Sequence, residues 1–257
     1  MTDTFIRLGA KISPLDHYRS NVYSQNGEDG IINEVLCRIG KFDVSGLSVV
    51  EFGAWDGRHL SNTFSLVERG ASALFIEGDA TKFIDLLETQ SKFPNITPVQ
   101  AFVAIDGRSD NSLATILTRA QVPPNFDILS IDIDSYDLDV WDNLEGFRPG
   151  IVIIEITSEI KLGEKMIYSD GSMRNSFSSA VSVAAAKGYV LVAHVGNLIF
   201  VRDDLAFAVL ADENLINNPD VLYNDFWSAM PLRVRIVDYG LAVFEKIRRL
   251  VTGLMRG

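Results

Sequence analysis

The chain has 257 residues, 47% hydrophobic and 22% charged, enough to bury one large core and unlike the composition of a disordered or collagen-like protein. Its 34 acidic against 23 basic side chains leave a net charge of −11, which argues against tracking a nucleic-acid backbone, so no nucleic acid is expected as a partner. A single cysteine, Cys37, rules out an internal disulfide, a CxxC redox pair and a thiolate zinc cluster, and no stretch approaches the roughly 18 to 20 apolar residues that span a bilayer. A cytoplasmic protein is the expectation.

In chain order, residues 1–45 precede the first expected strand and include a helical stretch at 30–39, read as a lid segment over a cleft. A core follows over 46–205, in which short β-branched apolar runs alternate with stretches of helical spacing. Strands are expected at 47–52 (LSVVEF), 73–77 (ALFIE), 96–103 (ITPVQAFV), 127–132 (DILSID), 150–156 (GIVIIEI), 189–194 (YVLVAH) and 198–202 (LIFVR). Helices fit between them at 62–68, 79–90, 112–119, 140–144 and 176–187, and a helical extension occupies 206–257.

This alternation builds an α/β fold, a mostly parallel sheet covered by helices on both faces. Only Val195, Gly196 and Asn197 separate the last two strands, too few for a parallel crossover, so those strands form an antiparallel hairpin. A seven-stranded, mostly parallel sheet with a C-terminal antiparallel hairpin is the Rossmann-like sandwich of class I methyltransferases. That analogy concerns the fold and not the chemistry.

Glu51-Phe52-Gly53-Ala54-Trp55-Asp56-Gly57 runs from the carboxyl end of the first strand toward a helix, the turn that faces the ligand crevice of an open α/β sheet. Gly53 and Gly57 permit a sharp turn and a close approach to a bound molecule. The spacing is not GxGxxG, which disfavours a pyrophosphate. Glu51, an acid at the strand end, suits an ammonium or sulfonium. Glu77, followed by Gly78 and Asp79, ends the second strand, where an acid accepts ribose hydroxyls or, alternatively, is a solvated capping group. Phe102, after the third strand, is a candidate to flank an adenine or else a core residue.

The fourth strand ends in Asp132-Ile133-Asp134-Ser135-Tyr136-Asp137. If extended geometry continues, Asp132 and Asp134 share one side and Ile131 and Ile133 the other. Two carboxylates so close raise one pKa or recruit a cation. They would serve as a general base or, completed by Glu155 at the end of the fifth strand, as an oxygen-rich magnesium site; helix capping by Asp134 or Asp137 is the plainer alternative.

The ordered series SQNGEDG (residues 24–30), EFGAWDG with Ser61-Asn62-Thr63, FIEGD, SIDIDSYD, and Lys187-Gly188-Tyr189 with Asn197-Leu198-Ile199-Phe200-Val201-Arg202 resembles the FkbM-like S-adenosylmethionine-dependent methyltransferases and their uncharacterised relatives, over about residues 20–205. The resemblance implies S-adenosylmethionine as methyl donor and O-methylation of a hydroxyl on a sugar or small metabolite. By position it places Glu51, Gly53 and Gly57 around the methionine part, Glu77 at the ribose, and Asp132 at the ammonium or the reacting hydroxyl; Ala54, Gly78 and Phe102 are the further residues expected at the cofactor. Asp132, Asp134 and Glu155 are the catalytic candidates. Trp55 stands where many methyltransferases carry glycine.

Gln25 and Glu28 are candidates to close over the cofactor, although an N-cap followed by first-turn acids explains the same letters. His194 reads as a strand-end residue rather than a base, and His17 and His59 have no second partner. The segment Thr157 to Asn175 is where substrate choice should reside. From Arg233 onward six basic residues meet two acidic ones with apolar side chains at helical spacing, which suits docking on the chain's own core, a homodimer contact or a peripheral membrane contact. An NAD-linked oxidoreductase and a non-catalytic Rossmann-like binding module are the rival readings.

Overall fold

A computed structural model describes residues 13–226. Seven strands form one sheet: β1 (Ser48–Phe52), β2 (Ser72–Glu77), β3 (Ile96–Gln100), β4 (Ile128–Ile131), β5 (Ile151–Ile154), β6 (Tyr189–Val195) and β7 (Asn197–Arg202). Their spatial order is β3-β2-β1-β4-β5-β7-β6. The pairs among β1 to β5 are parallel, whereas β7 runs antiparallel to both β5 and β6. The fold is therefore α/β, Rossmann-like, with the reversed strand inserted beside β5. Only Gly196, at φ +92°, separates the hairpin strands, because Val195 pairs with Asn197.

Eight α-helices connect or flank these strands: α1 (Glu28–Arg38), α2 (Phe64–Glu68), α3 (Ala80–Gln90), α4 (Leu113–Arg119), α5 (Asp137–Asp142), α6 (Phe177–Ala186), α7 (Asp203–Leu210) and α8 (Glu213–Asn217). Short polar side chains start four of them by accepting otherwise orphaned backbone N–H groups: Asp79 for α3, Ser112 for α4, Ser176 for α6 and Asp212 for α8.

Alternation along the strands divides the core in two. Val49, Phe75, Ile128 and Ile151 face one layer, while Val50, Leu74, Leu129 and Val152 face the other. Burial on both faces explains the continuous apolar runs in the central strands. Helix α1 buries Ile31, Ile32, Val35 and Leu36 in the first layer, which integrates the segment before β1 into the body of the fold.

Three strands end earlier than their apolar letters suggest. β3 is an edge strand and stops at Gln100, and Phe102 turns back over Gly78. β4 stops at Ile131 and β5 at Ile154, so the acids beyond them lie in loops. The helix expected from residue 140 begins at Asp137, whose carboxylate accepts the N–H groups of Ile133 (2.7 Å) and Ser135 (2.8 Å). No helix among the described residues is long and apolar enough to cross a membrane. The basic segment from Arg233 lies outside the described residues.

Candidate functional site

The strand order reverses at β1, between β2 and β4, and such a switch point opens a crevice at the carboxyl ends of the strands. A cavity of about 540 Å³ lies there, within the usual size range of small-molecule sites. The β4 loop lines it with Asp132, Asp134, Ser135 and Asp137, and the segment after β5 adds Glu155 to Glu159. Gln25 and Asn26, Leu60 and Asn62, Tyr168, Met173 to Asn175, and Gly196 with Asn197 complete the wall.

Asp132, Asp134 and Glu155 each bring one oxygen to within 4.8 Å of the others. The sequence expected this convergence, but extended geometry does not cause it. Asp134 adopts φ +57° in the turn after β4, and that left-handed residue swings its carboxylate back toward Asp132. Three residues lining the cavity hold this conformation without being glycine: Leu60 (φ +56°), Asp134 and Met173 (φ +55°). Each costs about a kcal/mol or more, a strain that concentrates at functional sites.

The trio's electrostatics follow from burial and mutual repulsion. Asp132 rises to about 6, through desolvation first and then the Asp137 and Asp134 charges, against a hydrogen bond with Glu155. Glu155 rises to about 10, through desolvation and then the charge of Asp132. The pair shares one proton at neutral pH, with Glu155 as the donor and Asp132 as the carboxylate. An ionised carboxylate whose pKa is just below neutral, facing a cavity, is suited to remove a proton from a hydroxyl.

Of the residues assigned to a cofactor, Asp132 alone lines this cavity. Glu51 is buried beside it and accepts hydrogen bonds from Ser61 Oγ (3.0 Å), Thr63 N (3.1 Å) and Thr63 Oγ1 (2.7 Å); desolvation lifts it to about 7. The side-chain oxygens of Glu77 accept the N–H groups of Trp55 (2.8 Å) and Asp79 (2.7 Å), tying the β1 loop to the β2 loop. Ala54 is buried, and Phe102 is 75% exposed, so its core alternative is excluded.

Gly53 (φ +79°) and Gly57 (φ +75°) do make the turn that the sequence suggested, but the space beside them holds protein. A Cβ at Gly57 would meet Leu86 and Phe75 at 2.9 Å, and one at Gly78 would meet the Phe102 ring at 2.4 Å. Trp55, at φ +47°, presents its ring to Lys82 Nζ 4.8 Å away and to the edge of His59.

The SQNGEDG stretch divides its labour. Asp29 Oδ2 accepts three N–H groups, from Val22, Tyr23 and Ser24, each at 2.8 Å. Glu28 is fully buried and accepts from Asn26 N (2.7 Å) and Asn197 Nδ2 (3.2 Å). These two acids are structural, and Gln25 and Asn26 are the residues that reach the cavity. Ser158 lies in the segment expected to govern substrate choice and Asn197 in the last of the ordered motifs, but neither is singled out as a site residue by the sequence; the fold brings both to the cavity. His194 is buried and held well below the usual imidazole range, at about 3, by desolvation. It is no base for this cavity.

No family model and no curated protein matches the sequence. Solved structures show partial similarity to it. The citrinin polyketide synthase CMeT domain is 14% identical with a TM-score of 0.41, over 61% of this chain and 46% of that one. An O-methyltransferase family protein from Burkholderia thailandensis is 12% identical with a TM-score of 0.43, over 68% and 58%. A SAM dependent methyltransferase from Aquifex aeolicus is 13% identical with a TM-score of 0.40, over 66% and 86%. The chain thus spans about half the length of the first two.

Proposed function

We propose that the protein is an S-adenosylmethionine-dependent methyltransferase that methylates a hydroxyl of a sugar or small metabolite. The observation that carries the reading is the Asp132, Asp134 and Glu155 cluster in a cavity at the carboxyl ends of β4 and β5, on a sheet whose reversed β7 lies beside β5. The ordered motifs that resemble the FkbM-like group support it as well.

The residues present fit the cationic end of the donor. Among the described lining residues, five are acidic, and Arg174 is the one with a cationic side chain. Such a wall favours an ammonium or sulfonium and repels phosphate. The nucleoside end is assigned to the surface around Glu77, Gly78 and Phe102, where Glu77 keeps acceptor capacity beyond its two backbone partners. When bound, S-adenosylmethionine supplies an electrophilic methyl group.

The chain's own work is to hold the acceptor hydroxyl in line and to take its proton. Asp132 is the assigned base, and Glu155 holds it in place through the shared proton. The same three oxygens form a donor set suited to magnesium, with Asp132, Asp134 and Glu155 as its ligands. An ion there would displace the shared proton and lower the acceptor hydroxyl's pKa.

Calorimetry of the folded protein with S-adenosylmethionine tests the reading: micromolar to sub-millimolar binding is expected, and none at millimolar donor rejects it. A parallel titration with a nicotinamide dinucleotide should give no heat; saturable binding there would favour the oxidoreductase rival. Repeating the donor titration and a labelled-methyl transfer assay with magnesium or with a chelator decides whether the trio acts as base or as metal site.

A further inference from the structure

One polar group of the cavity wall, Ser158, is wired so that it accepts a hydrogen bond from a ligand and has none to donate. Asn224 N–H donates to His194 Nδ1 at 3.0 Å. A backbone N–H only donates, so the neutral ring carries its proton on Nε2. Nε2–H then donates to Ser158 Oγ at 3.1 Å, and the Ser158 hydroxyl in turn donates to the Gly196 carbonyl at 2.7 Å. Ser158 lines the cavity with its proton committed to the protein, so what it offers a ligand is a lone pair. The same wiring removes Ser158 from consideration as a nucleophile, because its imidazole neighbour is a donor rather than a base.

The amide side chains around the cavity are partly spent on the protein. Asn62 donates one N–H to Ser130 Oγ (3.1 Å), Asn197 one to Glu28 (3.2 Å), and Asn175 donates one to the Ser135 carbonyl (2.8 Å) while its Oδ1 accepts the Tyr168 N–H (3.1 Å). Beside them stand Asp132 and Asp134. Tyr168, another lining residue, meets Tyr136 edge-on at 4.5 Å and gives the rim an aromatic face.

We infer that the acceptor substrate is an amino sugar: a ring rich in hydroxyl donors, bearing a protonated amine and presenting a C–H face to Tyr168. Ser158 is a specificity residue that accepts a hydrogen bond from this ring, and His194 is a positioning residue that fixes its orientation. Five carboxylates against the one Arg174 disfavour sugars carrying phosphate or carboxylate. The inference rests on the methyltransferase reading only in taking the bound sugar to be the methyl acceptor.

The test is a titration of the full chain, followed by NMR, with glucosamine, glucose and glucose 6-phosphate, each with and without S-adenosylhomocysteine. Glucosamine should bind about tenfold tighter than glucose, as one charge-assisted hydrogen bond permits, and glucose 6-phosphate should not bind. Ser158→Ala should weaken glucosamine about fivefold, the worth of one hydrogen bond, and Ser158→Thr should restore it. Equal affinity for the three sugars, a preference for the phosphorylated one, or an unaffected Ser158→Ala variant that still binds S-adenosylhomocysteine overturns the inference. Glucosamine selectivity without any binding of S-adenosylhomocysteine would instead remove the methyltransferase reading and leave the sugar site standing.

Discussion

A Cβ on Gly53 would lie 1.7 Å from the carbonyl oxygen of Asp132, so the turn after β1 and the end of β4 are packed backbone against backbone. The contact sets where the Asp132 carboxylate enters the cavity. Gly53→Ala adds this clash to an unfavourable left-handed φ, and a loss of at least about 3 kcal/mol is expected. Urea denaturation measures it. A variant within about 1 kcal/mol of wild type, the scale of an ordinary substitution, would show that the two loops separate easily.

Glu77 links the β1 and β2 loops through Trp55 N and Asp79 N. Removing it leaves two backbone donors without their partner, at about 2 to 4 kcal/mol in total. Glu77→Ala should therefore lower thermal stability as well as donor affinity, while Glu77→Gln retains one acceptor oxygen and loses less. Thermal melts run beside donor titrations separate the two effects.

Buried Glu51 keeps its proton in the native state up to about pH 7, whereas the unfolded chain releases it near 4.5. Between those values the native state binds more protons, so this group makes stability fall as pH rises, by about 3 kcal/mol across the window. His194 works with the opposite sign. Its native value of about 3 lies below the usual 6.5, so it makes stability rise with pH over that range. Glu51→Gln should abolish the first slope and leave the second, as denaturation at a series of pH values from 4 to 8 would reveal (about the span of the two windows). A pH profile identical to wild type would contradict the burial of an ionisable Glu51.

Glu155 holds its proton to about pH 10 and donates it toward Asp132. Glu155→Gln retains an N–H donor in the same place, so below about pH 4.5, where Glu155 is protonated folded and unfolded alike, stability should change by less than about 1 kcal/mol. As pH rises from 4.5 toward 10, wild type binds more protons folded than unfolded and loses stability; the variant lacks that contribution. At pH 7 and above the variant should therefore be the more stable protein, by a margin that grows toward pH 10. If magnesium occupies the trio, the same substitution should weaken it at least tenfold by removing one of three carboxylates, read by titration of the metal alone.

The fold was legible in the letters, because a strand buried on both faces must be apolar throughout and helices covering it must be apolar at helical spacing. That rule found β1, β2 and the β6–β7 hairpin to within a residue or two, and it found the acids past β4 and β5. It overran at β3 and β5, where Val103 and Ile156 still pack on the core after the backbone has left the sheet, and by the acidic Asp132 at β4. Gly53 and Gly57 show a second limit: a glycine in a turn announces that something lies close, without saying whether it is a ligand or another loop.

Sequence alone determined the α/β class, the reversed terminal strand and the pairing of Asp132 with Glu155 at adjacent strand ends, because each follows from local periodicity and strand order. Tertiary structure decided which polar groups face the cavity and in which sense they hydrogen-bond. Ser158 became an acceptor through Asn224, 66 positions further along the chain, acting through His194. Hydrogen-bond direction belongs to a network of groups brought together by folding, and no spacing along the sequence encodes it.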